Sequence, residues 1–111
     1  MIIELIEFKL IEGISEESFL KALNKAQVRF FNIQTGFIRR DLLKTKDDTW
    51  INIFYWKSIE NAQKAAKEFT EHSSCLPFVQ MVSPISMKIT YLDQIKTYKS
   101  KTLTENNNKA I

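Results

Sequence analysis

The segment Trp50-Ile-Asn-Ile-Phe-Tyr-Trp56 constrains the fold more than any other stretch of the chain, because large apolar side chains stand at both parities. Even positions carry Trp50, Phe54 and Trp56, odd positions carry Ile51, Ile53 and Tyr55, and Asn52 is the one clearly polar residue among them. A strand in an antiparallel sheet covered on one side alternates apolar with polar residues, since only one face meets the core. A chain of 111 residues can supply helices for one face of such a sheet but hardly for both. The second apolar face therefore calls for a partner subunit or a ligand.

The length fits one domain with a modest core. With 44% hydrophobic and 26% charged residues, the composition is that of an ordinary soluble protein. Ile2 to Leu10 is apolar-rich but interrupted by Glu4, Glu7 and Lys9, which suits neither a signal peptide nor a membrane span, so a cytoplasmic location is the expectation. The single cysteine, Cys75, has no intramolecular disulfide partner, and no cluster of thiols or histidines offers a metal site. A net charge of +3, spread among acidic residues, gives little reason to expect nucleic-acid binding.

Local signals divide the chain into alternating elements. Ile2 to Leu10 reads as a strand, with Ile2, Ile6, Phe8 and Leu10 on one face and Ile3 and Leu5 on the other. Ser15 suits a helix N-cap, followed by Glu16 and Glu17 where the helix dipole favours anions. Phe19, Leu23, Ala26 and Phe30 then form a helical stripe expected to run to about Ile33 and stop near Gly36. Phe37 to Lys44 reads as a charged edge strand, with Arg39 and Arg40 discouraging stray pairing, and Lys46-Asp47-Asp48 turns it into the Trp50–Trp56 strand.

Ser58 caps a second helix with Ala62, Ala65, Ala66 and Phe69 on its buried stripe. Ser74 is expected to cap a short helical turn through Leu76, Pro77, Phe78 and Val82, and Ile85 to Leu92 reads as the fourth strand. The domain is expected over residues 1–95; residues 96–111, which include Asn106-Asn-Asn108, read as a tail that is flexible or packed on a neighbouring subunit.

The order strand, helix, strand, strand, helix, strand is the split βαβ pattern of a ferredoxin-like α+β fold, a four-stranded antiparallel sheet with helices on one face. Its right-handed form makes the first and third strands central, and these are the two strands with apolar residues on both faces. In a monomer the uncovered face would be an apolar patch of roughly several hundred Å2, more than monomers ordinarily expose. A homodimer through that face is the economical solution.

The phrases Thr35-Gly36-Phe37-Ile38-Arg39-Arg40, Trp50-Ile-Asn-Ile-Phe-Tyr-Trp56, Ala62 with Ala65-Ala66, Phe69-Thr-Glu-His72 and Cys75 together resemble the antibiotic biosynthesis monooxygenase-like branch of the dimeric α+β barrel superfamily. The resemblance spans roughly residues 2 to 92 and implies a ligand cavity between sheet and helices, near the ends of the central strands. It brings Phe37, Trp56, Phe69, His72 and Phe78 towards that cavity. Such a fold hosts many chemistries, so it does not by itself fix one.

The catalytic candidates are His72, Tyr55 and Asn52; the ligand-pocket candidates are Phe37, Trp56, Phe69 and Phe78. His72 can shuttle protons or ligate haem, although a histidine at a helix end more often satisfies a carbonyl or faces solvent. Trp50 and Trp56 can stack a flat ligand, but core or interface packing is the commoner use of such residues. Cys75, at a predicted helix start, is either a thiol of lowered pKa or a small buried hydrophobe.

The haem-degrading members of the resembled group use an asparagine on the first strand, a tryptophan on the second helix and a histidine after it; this chain has Glu4 and Glu7 in that strand and an alanine stripe with Phe69 on that helix, so that only His72 could be carried over. Haem degradation is thereby disfavoured. The resemblance implies a cofactor-independent monooxygenase, or a related small enzyme, acting on an aromatic or apolar small molecule. The alternative is a non-catalytic, small-molecule-binding or stress-related dimer.

Overall fold

In the computed structural model, which describes residues 1–101, the Trp50–Trp56 strand lies inside a four-stranded antiparallel sheet. The strands are β1 (Ile2–Phe8), β2 (Phe37–Lys44), β3 (Trp50–Trp56) and β4 (Lys88–Asp93), in the spatial order β2-β3-β1-β4. Helices α1 (Glu16–Arg29), α2 (Ile59–Phe69) and the short α3 (Leu76–Val79) complete the ferredoxin-like arrangement. The expectation that the first and third strands are central is met. The last part of the tail, residues 102–111, lies outside the described residues.

Register decides which side chains meet the helices. Ile2, Glu4, Ile6 and Phe8 of β1 stand opposite Trp56, Phe54, Asn52 and Trp50 of β3. All of these side chains share one face, because parity is preserved across a ladder. Trp50, Asn52, Phe54 and Trp56 are buried, whereas Ile51, Ile53 and Tyr55 on the opposite face are only half-buried. That opposite face also carries the half-buried Ile3 and Leu5, and Leu43 and Leu92, which are exposed.

Beneath the helices the core divides into two clusters. One gathers Ala26, Phe30, Phe31, Phe54, Trp56, Ala62, Ala65 and Cys75. The other gathers Phe8, Phe19, Ala22, Leu23, Trp50, Phe78 and Val82, with the Phe19 and Trp50 rings 4.7 Å apart. Phe69 packs against both. Ser15 and Ser58 cap α1 and α2 as expected, accepting from the backbone N–H of Ser18 at 3.1 Å and of Asn61 at 3.2 Å.

Several boundaries differ from the expectation, each for a local reason. Helix α1 ends at Arg29 rather than near Ile33, and Phe31–Ile33 forms a single 3-10 turn. Phe30 and Phe31 are both buried, and adjacent residues of a continuous α-helix do not face the same way, so the helix breaks to bring both rings inward. Strand β1 ends at Phe8 rather than Leu10, because the chain then pairs with the segment before β4: Ile11 N–H donates to Met81 O at 2.9 Å, and Leu10 bridges Val82.

Strand β4 begins at Lys88 rather than Ile85, since Pro84–Ser86 is a 3-10 turn whose Ser86 hydroxyl accepts from Lys9 N–H at 2.8 Å. Ile85 is consequently 97% exposed instead of lying on a strand face. Cys75, not Ser74, occupies the N-cap position of α3, and it makes no side-chain cap bond. Arg39 sits at the outer edge as expected, paired with Asp41 at 3.2 Å. Arg40 does not share that role, because a register shift between Phe37 and Arg39 turns it to the helix side, with its guanidinium 5.2 Å from the Phe31 ring centre.

Gly36, at φ +80°, precedes β2, and a Cβ there would collide with the Asn61 side chain, itself held by Ser58 Oγ at 2.8 Å. Gly13 has φ +90° but open space around it. Gly36→Ala should therefore destabilise the fold by more than the roughly 1–2 kcal/mol of left-handed strain that Gly13→Ala carries alone. Urea unfolding of both variants checks this; an equal or reversed order would contradict the packing around Gly36.

Candidate functional site

Where the two core clusters meet, the side chains do not close. The gap is a cavity of about 270 Å3 walled by members of both clusters, among them Phe8, Phe31, Phe54, Trp56, Ala65 and Phe78. This exceeds the roughly 150 Å3 of an apolar cavity that houses benzene, so more than one ring fits. Small residues on α2 leave the space: Ala65 is buried against the sheet, and Ala66 and Thr70 lie at the rim. Across from them Pro84, Met87 and Ile89 are exposed, so the opening runs between α2 and the β4 edge.

Two polar side chains interrupt the floor. Asn52 is 2% exposed and stands on β3 between Trp50 of one cluster and Phe54 of the other. Its neighbours across the sheet are Ile6 of β1 and Leu42 of β2, neither of which offers a hydrogen bond. Asn52 Oδ1 is buried without a partner among the described residues. Leaving such an acceptor unsatisfied costs about 1–3 kcal/mol, so its place on a cavity wall is a ready explanation for its presence.

Glu4 is the second, 4% exposed and diagonal to Asn52 on the same face. Trp56 Nε1–H donates to Glu4 Oε1 at 3.0 Å, and Tyr91 stands directly across on β4, its phenol beside the carboxyl. Burial raises the Glu4 pKa above the ordinary carboxylate value, while the Trp56 and Tyr91 donors pull it part of the way back. The same proximity raises the Tyr91 phenol, burial first and the Glu4 charge second.

Of the residues proposed from the sequence, the structure brings Asn52, Trp56, Phe69 and Phe78 together on the cavity wall. Phe37 stands behind it, its ring 5.5 Å from Trp56. Tyr55 is on the opposite sheet face, where the Arg39 guanidinium lies 4.3 Å from its ring centre; odd parity on β3 directs it there. His72 is outside the wall, in the turn after α2, where its Nδ1 accepts from Ser74 N–H at 3.2 Å and its ring packs 5.2 Å from Phe30.

Cys75 is fully buried and its thiol is pushed up to about 11 by desolvation, the behaviour of a small hydrophobe rather than of a reactive thiol. Arg40, nearby, is pushed down to about 10 by burial, and its Nη1 has no hydrogen-bond partner among the described residues. Glu4 was not among the sequence candidates. Its parity with Ile2, Ile6 and Phe8 was the available signal, since it puts the carboxyl on the apolar face and Glu7 on the other.

Among the described residues no group of three His, Cys, Asp or Glu side chains could hold a metal ion, and no helix is long and apolar enough to cross a membrane. No protein-family model and no curated protein matches the chain by sequence. Solved structures do match. SnoaB, a cofactor-independent oxygenase from Streptomyces nogalater, superposes with a TM-score of 0.71 at 16% identity, over 89% of this chain and 97% of that one.

Antibiotic biosynthesis monooxygenase-like proteins from Nitrosomonas europaea and Bordetella bronchiseptica superpose with TM-scores of 0.64 and 0.69, at 15% and 11% identity. Each match covers 86% of this chain, and 100% and 98% respectively of the other. At these identities the likeness establishes the fold, and the fold is that of the antibiotic biosynthesis monooxygenase-like structures.

Because Glu4 binds its proton more tightly folded than unfolded, protonation contributes stability that is complete below the unfolded carboxylate value of about 4.5 and is lost as pH rises through the higher folded value. Glu4→Gln keeps an acceptor for the Trp56 indole and removes this titration. Urea midpoints measured from pH 4 upward should fall with pH more steeply in the native protein than in Glu4→Gln. Parallel profiles would mean that Glu4 titrates normally.

Proposed function

We propose that the chain is a small-molecule enzyme of the oxygenase type, acting without a bound cofactor on a hydroxylated aromatic compound held in the cavity between sheet and helices. The observation that carries this reading is Asn52, a buried amide whose Oδ1 has no partner among the described residues, on the wall of a cavity otherwise apolar but for Glu4 and Thr70. An aromatic ring system satisfies the apolar walls, and a hydroxyl or N–H on it satisfies the amide oxygen. The likeness to SnoaB, itself a cofactor-independent oxygenase, supports the reaction class. His72 and Tyr55 have no part in this reading, since neither side chain reaches the wall.

The working form in this reading is a homodimer. Ile3, Leu5, Ile51 and Ile53 form an apolar centre on the sheet face away from the helices, and a second copy is the partner whose own face matches it. Light scattering should give twice the 13.0 kDa of the chain, and Ile53→Lys should return the single-chain mass. A native protein that scatters as one chain would remove the dimer.

Asn52→Leu separates function from stability. Replacing an unsatisfied buried amide by an apolar side chain of similar volume should leave the urea midpoint unchanged or raised, because no hydrogen bond is lost. With 2,6-dihydroxynaphthalene as probe, oxygen uptake followed with an electrode should fall by about tenfold or more, the worth of one buried hydrogen bond to the ligand. Undiminished uptake in Asn52→Leu, or none with the native protein across a panel of hydroxylated naphthalenes and anthracenes, would defeat the oxygenase reading.

A further inference from the structure

The function proposed above needs a group that takes up a proton as the aromatic hydroxyl becomes an anion, and neither Asn52 nor Trp56 can do so. We propose that Glu4 is that proton acceptor, and that Tyr91 connects it to solvent at the β4 edge. The assignment rests on the reading of the cavity as a binding site for hydroxylated aromatics and adds the residue that deprotonates them.

Three observations carry it. Glu4 is the ionisable side chain on the cavity wall, whose remaining residues are apolar apart from Asn52 and Thr70. The Trp56 indole N–H holds it at 3.0 Å from the neighbouring strand, so that its carboxyl is oriented before a ligand arrives. Finally, Tyr91 is 40% exposed on an edge strand while Glu4, its direct cross-strand neighbour, is 4% exposed, so the pair spans from the closed interior to the outside.

The surroundings of Glu4 are electrically simple. From β4 the Tyr91 phenol faces it, from β3 the uncharged Trp56 indole, and from α2 and α3 the cavity wall presents Ala65, Ala66, Phe69, Thr70, Phe78 and Val79. Arg40 occupies the same row of the sheet, but Phe54 stands between the two. Among the described residues no opposite charge adjoins the carboxyl, and its burial raises its proton affinity above the ordinary carboxylate value, which suits a general base.

The step is a proton transfer and consumes no oxidant. The O–H bond of the ligand breaks with its electron pair left on the ligand oxygen, and the proton bonds to the Glu4 carboxylate. It leaves when the Tyr91 oxygen accepts it and the Tyr91 hydroxyl proton passes to water. Because Glu4 and Asn52 are diagonal neighbours, about 7–8 Å apart at their Cα atoms, the ligand that uses both carries two hydroxyl or N–H donors at separated positions of a fused ring system.

Calorimetric titration of the full chain with 2,6-dihydroxynaphthalene and with naphthalene, over a pH series below the ionisation of the free diol, tests the assignment. The diol should bind more tightly as pH rises through the ionisation of Glu4, by about tenfold or more, because only the carboxylate accepts its proton. Naphthalene affinity should not rise. Glu4→Gln should bind both compounds and lose the rise for the diol. Tyr91→Phe should move the rise to higher pH, because the carboxylate loses a donor that stabilises its charge.

Equal pH profiles for the two compounds, or a rise that survives in Glu4→Gln, would overturn the role of Glu4 and leave the cavity reading standing. Failure of both compounds to bind would overturn the cavity reading and this assignment together. If circular dichroism finds Glu4→Gln unfolded, the contrast between diol and naphthalene in the native protein and the shift in Tyr91→Phe decide the matter.

Discussion

The antiparallel register of β1 against β3 is the constraint from which the rest of the structure follows. It sets Glu4, Ile6 and Phe8 beside Phe54, Asn52 and Trp50, and so decides which residues the helices cover. A slip of one residue would turn Glu7 inward and Phe8 outward, and would replace two core clusters with a row of half-buried isoleucines. Trp56 reinforces the pairing, since its indole N–H reaches diagonally across the two strands to Glu4 at 3.0 Å. The bond joins two residues that lie far apart in the chain and on adjacent central strands.

The same register explains why a cavity exists at all. Aromatic residues fill the ends of the sheet, where Phe19, Trp50 and Phe78 gather on one side and Phe31, Phe54 and Phe69 on the other. In the middle row stand Ile6, Asn52 and Leu42, shorter than the rings on either side, and Ile6 and Asn52 line the gap opposite Ala65 and Ala66. A phenylalanine in place of Asn52 would bring one more ring into that gap. The polar residue in the most apolar strand thus forgoes a hydrogen bond at its Oδ1, a local departure from consistency of the sort that marks functional positions.

Much of this architecture was legible in the sequence. The two-faced pattern of β3 and β1 identified the central strands, and Ser15 and Ser58 announced their helices. Of the catalytic candidates Asn52, and of the pocket candidates Trp56, Phe69 and Phe78 but not Phe37, stand on the cavity wall, because each lies on the inward parity or stripe of its element. What escaped depends on contacts remote in sequence. The end of α1 is set by Phe30 and Phe31 both finding core partners, and the start of β4 by the tie between Ser86 and Lys9. His72 read as a candidate because it is the only histidine, but a single-residue clue carries no direction, and the turn after α2 aims it at Ser74 and Phe30. Glu4 was overlooked because a glutamate in a strand is usually a solvent-facing residue, and only its parity argues otherwise.

The Pro84–Ser86 turn has an evolutionary consequence. Three sides of the cavity belong to elements that also hold up the domain, so a substitution there alters shape and stability at once. The fourth is a single turn, anchored through the Ser86 hydroxyl to Lys9 just beyond β1, with Ile85 pointing into open water and Met87 at the mouth. Natural variation at these positions can change the width and shape of the mouth while the floor stays as it is. Descendants of this chain can therefore reshape their doorway before any change in the room behind it.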